Sequence, residues 1–187
     1  MARRQARAAA ADWKHEPVVD GRDRDFVQHI PRLRRYARAL TGDRGRADDL
    51  VQDTLERAWV KFHLWQPGSD LRAWLFTIMH NVFINQVRAT AAGTIIPLDD
   101  ETVQPTMRAT QSDRLEVRDL QVALSRVPEE QREVLLLVGL EQMTYEEAAG
   151  VLGIPIGTVM SRLSRARERL RTLMAVGGTH SALKVVK

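Results

Sequence analysis

The sequence predicts an all-α protein of two small helical domains joined by a flexible linker. Apolar residues recur at helical spacing in a first block, residues 25–88, and in a second block, residues 113–175. Alternating β-branched residues, the usual signal of strands, are few. Between the blocks, residues 89–112 mix Gly, Pro, Thr and acidic residues without a sustained period, which is typical of a linker. Residues 1–24 and 176–187 are predicted to be disordered extensions.

The composition excludes several classes of protein. The 187 residues include 28 basic and 24 acidic side chains and no cysteine, so neither a disulfide framework nor a cysteine zinc site is possible. The five histidines are scattered without ligand spacing, and we therefore predict no metal and no cofactor. No apolar run approaches the roughly 20 residues that cross a bilayer, so we predict a cytoplasmic protein without membrane insertion.

Three helices are predicted in the first block, over residues 25–40, 46–64 and 70–88. The first ends at Thr41-Gly42-Asp43. The second places Trp59 in phase with its apolar residues, which predicts a core position, and shows a polar outer face. That face consists of Asp49, Gln52, Asp53 and Glu56. Spacing alone favours an ordinary solvated surface whose acids oppose the helix dipole.

The third helix follows a loop that begins at Trp65, and Ser69 or Asp70 is expected to cap it. Trp74 is in phase with the apolar residues, so its predicted place is the core. A polar stripe lies along another side of this helix at helical spacing: Thr77, Asn81, Asn85 and Arg88.

The second block begins with two predicted helices, residues 119–127 and 129–140, on either side of Pro128. The run VLLLVGL, residues 134–140, is too apolar to be exposed. We expect it to pack beneath the segment that follows and to hold that segment at a fixed angle.

That segment, residues 144–174, has the pattern of a helix-turn-helix. Thr144 and Glu147 form a capping box at the start of its first helix. Gly153 supplies the left-handed residue that ends this helix, and Pro155 suits the first turn of the next one. The second helix buries Val159, Leu163, Ala166, Leu170 and Leu173.

The opposite face of the second helix is basic. Between Ile156 and Met174 there are five arginines and one acid, Glu168. An arginine-rich face alone is often only a solvated surface. The capping box, the glycine turn, the proline start and the one-sided arginines together favour a helix that docks in the major groove of DNA.

These segments together resemble the extracytoplasmic-function (ECF) sigma factors. DDLVQDTLERAWVKF, residues 48–62, is similar to the family's segment that binds core RNA polymerase. DLRAWLFTIMHNVFINQVR, residues 70–88, resembles its −10-recognition segment, with the W-L-x-x-I-x-x-N signature. Residues 127–170 resemble its −35-recognition domain. The resemblance implies sigma region 2 and region 4 domains that bind the β′ and β subunits of polymerase core and promoter DNA.

The resemblance also assigns roles to individual residues. The outer face Asp49, Gln52, Asp53 and Glu56 is expected to bind polymerase core through charge-assisted bonds. Recognition of the −10 element requires amides that contact base edges and a pocket for a flipped base. Asn81 matches the family's base-contacting asparagine. Further −10 contacts are expected from Thr77 and Asn85, from Trp65 by stacking, and from Arg72, His80 and Arg88 on phosphates.

For the −35 element, the first half of the last helix is expected to reach base edges while later arginines hold the backbone. The implied set is Thr158, Met160, Ser161, Arg162, Ser164, Arg165 and Arg169. Many members carry a basic residue where this chain has Met160. An apolar side chain makes no bidentate guanine contact, so the preferred −35 sequence is expected to differ.

The resemblance implies a non-enzymatic protein, without catalytic residues, that is held by an anti-sigma partner and is otherwise a monomer. The main alternative is a helix-turn-helix transcriptional regulator whose first block is a dimerisation or sensor domain. That alternative predicts self-association and palindromic sites. An enzyme is the third possibility, but the chain has no phosphate-binding glycine loop, metal-ligand cluster or nucleophile–base pair.

Overall fold

The computed structural model describes residues 26–92 and 111–178, and every regular element within them is helical. This confirms the predicted all-α fold. In the first block the helices are α1, Ile30–Thr41; α2, Arg44–Lys61; and α3, Leu71–Ala91. One turn of 3₁₀-helix, Phe62–Leu64, continues α2. The predicted extension 1–24 and most of the predicted linker lie outside the described residues. Of the predicted disordered tail, 176–187, residues 179–187 also lie outside them, whereas residues 176–178 belong to the last helix, which corrects the prediction.

Side-chain caps determine where α2 and α3 begin. The Asp43 carboxylate accepts from the Arg46 backbone N–H at 2.6 Å. At the start of α3, the Asp70 carboxylate accepts from the backbone N–H groups of Arg72 at 2.8 Å and Ala73 at 3.3 Å. Of the two predicted caps, Asp70 is therefore the one used, because an N-cap side chain must satisfy the exposed donors of the first turn.

In the second block the helices are α4, Gln111–Ser125; α5, Glu129–Gly139; α6, Tyr145–Leu152; and α7, Ile156–Gly178. The predicted bounds of α5 and α6 agree to within one residue. α4 begins eight residues before the predicted 119, and α7 runs four residues beyond the predicted 174. α7 ends at the Gly177-Gly178 pair, a breaker that the predicted end at residue 174 did not use.

The turn between α6 and α7 has the predicted chemistry. Thr144 Oγ1 accepts from the Glu147 N–H at 3.1 Å, and Glu147 Oε2 accepts from the Thr144 N–H at 2.8 Å, which completes the capping box. Gly153 ends α6 at φ 62°, a left-handed conformation that glycine adopts without strain. Pro155 lies one residue before α7, and its carbonyl accepts from the backbone N–H of Thr158 and Val159.

Large apolar side chains fill the core of the first block. Leu33, Leu40, Leu50, Leu75 and Phe83 are buried, and the rings of Tyr36 and Phe76 meet edge to face with centroids 5.0 Å apart.

The predicted core position of Trp59 is wrong, because 59% of that residue is exposed. The buried stripe of α2 consists of Ala47, Leu50, Val51, Thr54 and Ala58. Position 59 is one residue beyond Ala58, about 100° further around the helix, and so lies outside this stripe. Trp74 also departs from the prediction, because it lies partly exposed at the core margin rather than fully inside.

In the second block, α5 packs against both α6 and α7, and α4 packs against α7. Val134, Leu136 and Leu137 of the apolar run are buried, as are Val159, Leu163 and Ala166 of α7. The apolar run thus supports the helix-turn-helix as the sequence predicts. Burial of these side chains fixes the direction in which α7 presents its polar face.

The two blocks pack against each other, with α3 in contact with α6, and residues 31–187 form one compact unit. Contact between the blocks is not evident from the sequence, which suggests only tethered domains. Before α1, the His29 N–H donates to the Phe26 carbonyl at 3.0 Å.

Candidate nucleic-acid interface

The predicted polymerase-binding face of α2 is mostly exposed. Asp49, Gln52 and Glu56 lie on the surface, and Gln52 Nε2 donates to Glu56 Oε1 at 3.0 Å. Asp53 differs, because its Oδ2 accepts from Gln86 Nε2 of α3 at 2.9 Å and its side chain is partly buried. Asp53 therefore also joins α2 to α3, a contact that helical periodicity does not predict.

The predicted −10 residues of α3 divide into two groups. One group is the polar stripe, in which Asn81, Asn85 and Arg88 are exposed and Thr77 is partly buried. Thr77 Oγ1 donates to the Ala73 carbonyl, and Asn81 Nδ2 donates to the Thr77 carbonyl, both at 2.9 Å. These bonds orient Asn81 along its own helix while the residue stays accessible to a ligand.

The other group, Arg72 and His80, contacts the second block. Arg72 Nη1 donates to the Glu141 carbonyl at 3.2 Å, and Arg72 Nη2 lies 3.7 Å from Glu147 Oε2. His80 Nδ1 lies 2.7 Å from Glu133 Oε1. The side chains of Arg72 and His80 are only 20% and 18% exposed. The structure thus separates these two residues from the exposed stripe with which the sequence grouped them.

Arg35 of α1 adds a further side-chain donor to this contact. Its Nη2 donates to Glu141 Oε1 at 2.8 Å, and the Glu141 side chain has no exposed surface. Glu133 is similarly enclosed. Burial raises the pKa of the Tyr36 phenol well above its ordinary value, and the nearby carboxylates of Glu133 and Glu141 raise it further.

Trp65 lies in the loop between the 3₁₀ turn and α3. Its ring stacks on Phe62 with centroids 5.3 Å apart and planes inclined by 24°. Phe62 in turn meets Trp74 edge to face at 6.4 Å. Trp65 Nε1 is buried and has no hydrogen-bond acceptor among the described residues. The ring therefore covers the end of α2 at the position where a flipped base is predicted to bind.

The predicted −35 face of α7 is largely exposed. Met160, Ser161, Ser164, Arg165 and Arg169 lie on the surface, and Thr158 is partly buried. Arg165 is held along the helix, because its Nε donates to the Ser161 carbonyl at 3.2 Å and its Nη2 to Ser161 Oγ at 3.4 Å. Arg169 Nε donates to the Arg126 carbonyl at 3.2 Å, which ties α7 to the end of α4.

Arg162 has a different environment from the other predicted −35 residues. Its Nη2 lies 2.5 Å from Glu130 Oε2 on α5, and its side chain is only 22% exposed. Arg167, which the sequence analysis left out, is exposed beside Met160 and Ser164 around a shallow depression. Because Arg167 lies on the same side of α7, it adds a cation to this face. The helical spacing of residues 160, 164 and 167 is the signal by which the sequence could have identified Arg167.

No group of three or more His, Asp or Glu side chains in residues 26–92 and 111–178 is arranged to hold a metal ion. None of the helices in these ranges combines the length and the apolarity needed to span a bilayer.

Comparisons with known proteins find a matching family for each of the two helical blocks. Residues 26–80 match the family described as the Sigma2 domain of PhyR, and residues 118–170 match the family described as Sigma-70, region 4. The chain is 40% identical over 164 residues to the ECF RNA polymerase sigma factor EcfG of Rhodopseudomonas palustris (strain TIE-1), covering 87% of this chain and 90% of that protein.

Two solved structures are similar over most of the chain. The sigma factor RpoE, in complex with the anti-sigma factor NepR from Bartonella quintana, has a TM-score of 0.72 and 36% identity, covering 85% of this chain and 99% of that one. CnrH, in complex with the cytosolic domain of CnrY, has a TM-score of 0.62 and 29% identity, covering 82% and 86% of the two chains.

Proposed function

Because this chain belongs to the ECF family of RNA polymerase sigma factors, we propose that it binds polymerase core and directs it to promoters. The observation that carries the proposal is the presence of two exposed polar rows in one chain. One row is the amide-bearing stripe of α3, and the other is the cationic face of α7. A sigma factor needs both, because it contacts the −10 and −35 elements of the same promoter.

The α2 face supplies the polymerase contact. Asp49, Gln52 and Glu56 are exposed at helical spacing, so their carboxylate and amide groups are available to a basic surface. Asp53 contributes through its bond to Gln86, which keeps α2 and α3 in register. This division of roles makes Asp53 the member of the set whose loss would also disturb the packing of the first block.

The α3 stripe supplies recognition and melting at the −10 element. Asn81 and Asn85 present amides one turn apart, a geometry suited to Watson–Crick edges of unpaired bases. Arg88 lies at the same side of the helix, where it can neutralise a phosphate. Trp65 offers a stacking surface for a flipped base at the neighbouring loop.

The α7 face supplies recognition at the −35 element. Ser161, Ser164 and Arg165 are exposed in the half of the helix that enters a major groove first. Met160 is half exposed and offers a methyl-contacting surface for thymine rather than a guanine donor. Arg169 contacts the DNA backbone. The ion pair with Glu130 holds Arg162 beside the exposed residues that face the groove.

Three further properties belong to the proposal. The sigma factor is controlled by an anti-sigma protein, as the structures of RpoE with NepR and CnrH with CnrY suggest by analogy. It is not itself an enzyme, because polymerase performs the chemistry of RNA synthesis. It acts in the cytoplasm, where polymerase and promoter DNA are found, and it exists as a monomer outside its complexes.

The test is reconstitution with core polymerase followed by run-off transcription from a library of genomic promoter fragments. Wild-type protein is expected to form a holoenzyme and to select defined start sites. Asn81→Ala is expected to depress initiation about tenfold or more while core binding stays unchanged, because one lost base contact is worth roughly 1–3 kcal/mol.

Thr90→Ala is the matched control, since Thr90 is an exposed polar residue near the end of the same helix but off the stripe. It is expected to leave initiation unchanged. Equal loss of core binding and initiation in the Asn81 variant would show that α3 has another role. Absence of holoenzyme with wild-type protein would overturn the proposed function.

A further inference from the structure

The segment that contains α1 and the start of α2 is strongly basic. Between Ile30 and Ala47 the sequence has six arginines, one acid and no lysine. This excess of five positive charges is larger than the excess of four in the whole chain, so the rest of the chain carries a small net negative charge. None of these arginines belongs to the surfaces that are proposed to contact polymerase, the −10 element or the −35 element.

Four of the six arginines form one exposed surface, which we name the arginine patch: Arg34, Arg38, Arg44 and Arg46. Arg38 is in the last turn of α1, and Arg44 and Arg46 are in the first turn of α2. Their side chains therefore leave the backbone close to the short connection between the two helices. Arg34 joins them through Asp48, because the Nε atoms of Arg34 and Arg44 each lie 3.9 Å from a carboxylate oxygen of Asp48.

The positive charges of the arginine patch are poorly compensated. Asp48 is shared by two arginines at long distance, and 45% of its side chain is exposed, so each of these ion pairs is weak. The side chains of Arg38 and Arg46 form no ion pair or hydrogen bond within the described residues. The patch therefore has guanidinium groups that are available to an anion from outside the chain.

The position of the patch also opposes the dipole of α2. The N-terminus of a helix carries partial positive charge, so acids stabilise its first turn and cations destabilise it. The first turn of α2 contains Arg44 and Arg46 but no acid, and the carboxylate of Asp43 caps it. Residues that conflict with such a local rule occur most often at functional sites. Both the exposed guanidinium groups and their unfavourable position thus point to an anionic ligand.

The surroundings of the patch distinguish a nucleic acid from an acidic protein as this ligand. Protein interfaces have apolar and aromatic side chains at their centre. Among the described residues, no large apolar side chain between Ile30 and Leu50 is exposed. The phosphate backbone of DNA, by contrast, binds mainly through charge, and a guanidinium group can donate to two phosphate oxygens at once. A surface of arginines without an apolar centre therefore matches a phosphate backbone.

We propose that the arginine patch binds the phosphate backbone of duplex DNA without regard to sequence, in addition to the three surfaces of the proposed function. The patch adds affinity, because each neutralised phosphate releases counterions, but it does not recognise bases. In the promoter complex its ligand is DNA outside the −10 and −35 elements, and this assignment rests on the proposed function. Binding of duplex DNA by the isolated chain does not rest on it.

The test compares two double variants that each lose two positive charges. Arg38→Gln/Arg44→Gln removes two arginines of the patch. Arg32→Gln/Arg57→Gln is the matched control, since both residues are exposed on the same two helices but lie outside the patch. Binding to a short fluorescein-labelled duplex of mixed sequence, without −10 or −35 elements, is measured by anisotropy at several salt concentrations. Circular dichroism verifies that both variants are folded.

The patch variant is expected to bind the duplex about tenfold more weakly than the control variant at low salt. The slope of log affinity against log salt concentration is expected to be smaller by about 2, because two phosphate contacts are lost. Equal affinities and equal slopes in the two variants overturn the proposal. Arg38→Lys/Arg44→Lys keeps both charges and is expected to retain most of the binding. A loss as large as that of the glutamine variant would show that the patch does not act through its charge.

An acidic protein ligand is tested by competition on the same complex. Polyglutamate at equal total charge is expected to displace the labelled duplex much less effectively than an unlabelled duplex of a different sequence does. Equal displacement by the two competitors overturns the assignment to DNA. None of these measurements uses polymerase, so failure of this inference is distinguishable from failure of the proposed function, which the run-off assay detects.

Discussion

Arg162 and Arg165 lie three residues apart on α7, but their surroundings differ. Arg165 is exposed, and its own bonds run to Ser161 on the same helix. Arg162 is mostly enclosed and paired with Glu130 of α5. An arginine whose guanidinium already has a carboxylate partner exchanges one ion pair for another when it binds DNA, whereas an exposed arginine gains a new contact.

We therefore predict different effects of the two alanine substitutions. Arg165→Ala is expected to weaken binding of the polymerase holoenzyme to the −35 element by about 1–3 kcal/mol. Arg162→Ala is expected to cost less binding but to lower the free energy of unfolding, because it leaves Glu130 without its partner and removes packing between α5 and α7. Competition assays with promoter fragments and urea denaturation measure the two effects.

Arg171→Ala is the control for both, since Arg171 is exposed on α7 and pairs with Glu168 of the same helix. Arg171→Ala is expected to change −35 binding and the free energy of unfolding only slightly. An equal loss of −35 binding in the Arg165 and Arg171 variants would mean that the helix contributes only its general positive charge.

At the level of single residues, the sequence predicted exposure well on the solvent side of a helix and poorly where the other block covers the helix. Asn81, Asn85 and Arg165 are exposed as their helical phase suggests. Arg72 and His80 also have polar phases, but each contacts a carboxylate that lies more than 50 residues away in the chain, Glu147 and Glu133 respectively. Local periodicity contains no information about such a partner.

Among the helices, α6 depends on its capping box. Thr144→Ala removes the side-chain acceptor for the Glu147 N–H and leaves that donor without its bond. The free energy of unfolding is expected to fall by about 0.5–2 kcal/mol, the usual cost of losing an N-cap side chain. Urea denaturation followed by circular dichroism measures it.

Thr172→Ala is a suitable comparison, because the Thr172 hydroxyl donates to the Glu168 carbonyl within α7 and caps no helix. This change is expected to have little effect on stability. A similar loss in both variants would argue against a special contribution of the capping box.

Capping chemistry also explains which helix ends were predictable. Asp70, Thr144 and Gly153 each satisfy or replace backbone groups at a terminus, and α3 and α6 begin or end where these residues predict. The apolar period that located α4 and α7 in the sequence is shorter than the helices themselves, so the predicted ends fall short of the observed ones. The family resemblance, by contrast, concerned whole segments and did not depend on exact ends.

For the whole molecule, the sequence left two regulatory classes open. A helix-turn-helix regulator with a dimerisation domain would account for the second block, but the match of the first block to a sigma-2 family excludes that assignment for residues 26–80. We predict that the purified chain is a monomer, with a measured mass near 21.2 kDa by light scattering at micromolar concentration. A stable dimer under these conditions would contradict the prediction.

Packing between the blocks is the part of the fold that the sequence could not supply. The side chains that form it, such as Arg35 and Glu141, are charged residues that composition assigns to the surface. Only the three-dimensional arrangement of both blocks encloses Glu141, whose side chain has no exposed surface. The prediction of two helical domains was therefore correct, but it did not include the contact between them.

The stacking of Trp65 on Phe62 has a spectroscopic consequence. All four tryptophans, at positions 13, 59, 65 and 74, precede the second block, which has none. Tryptophan emission of the protein therefore arises entirely from the N-terminal half. A nucleobase that displaced Phe62 from the indole of Trp65 would quench or shift this emission, whereas −35 contacts on α7 would leave it unaltered. The natural chromophores thus distinguish the two recognition events without any added probe.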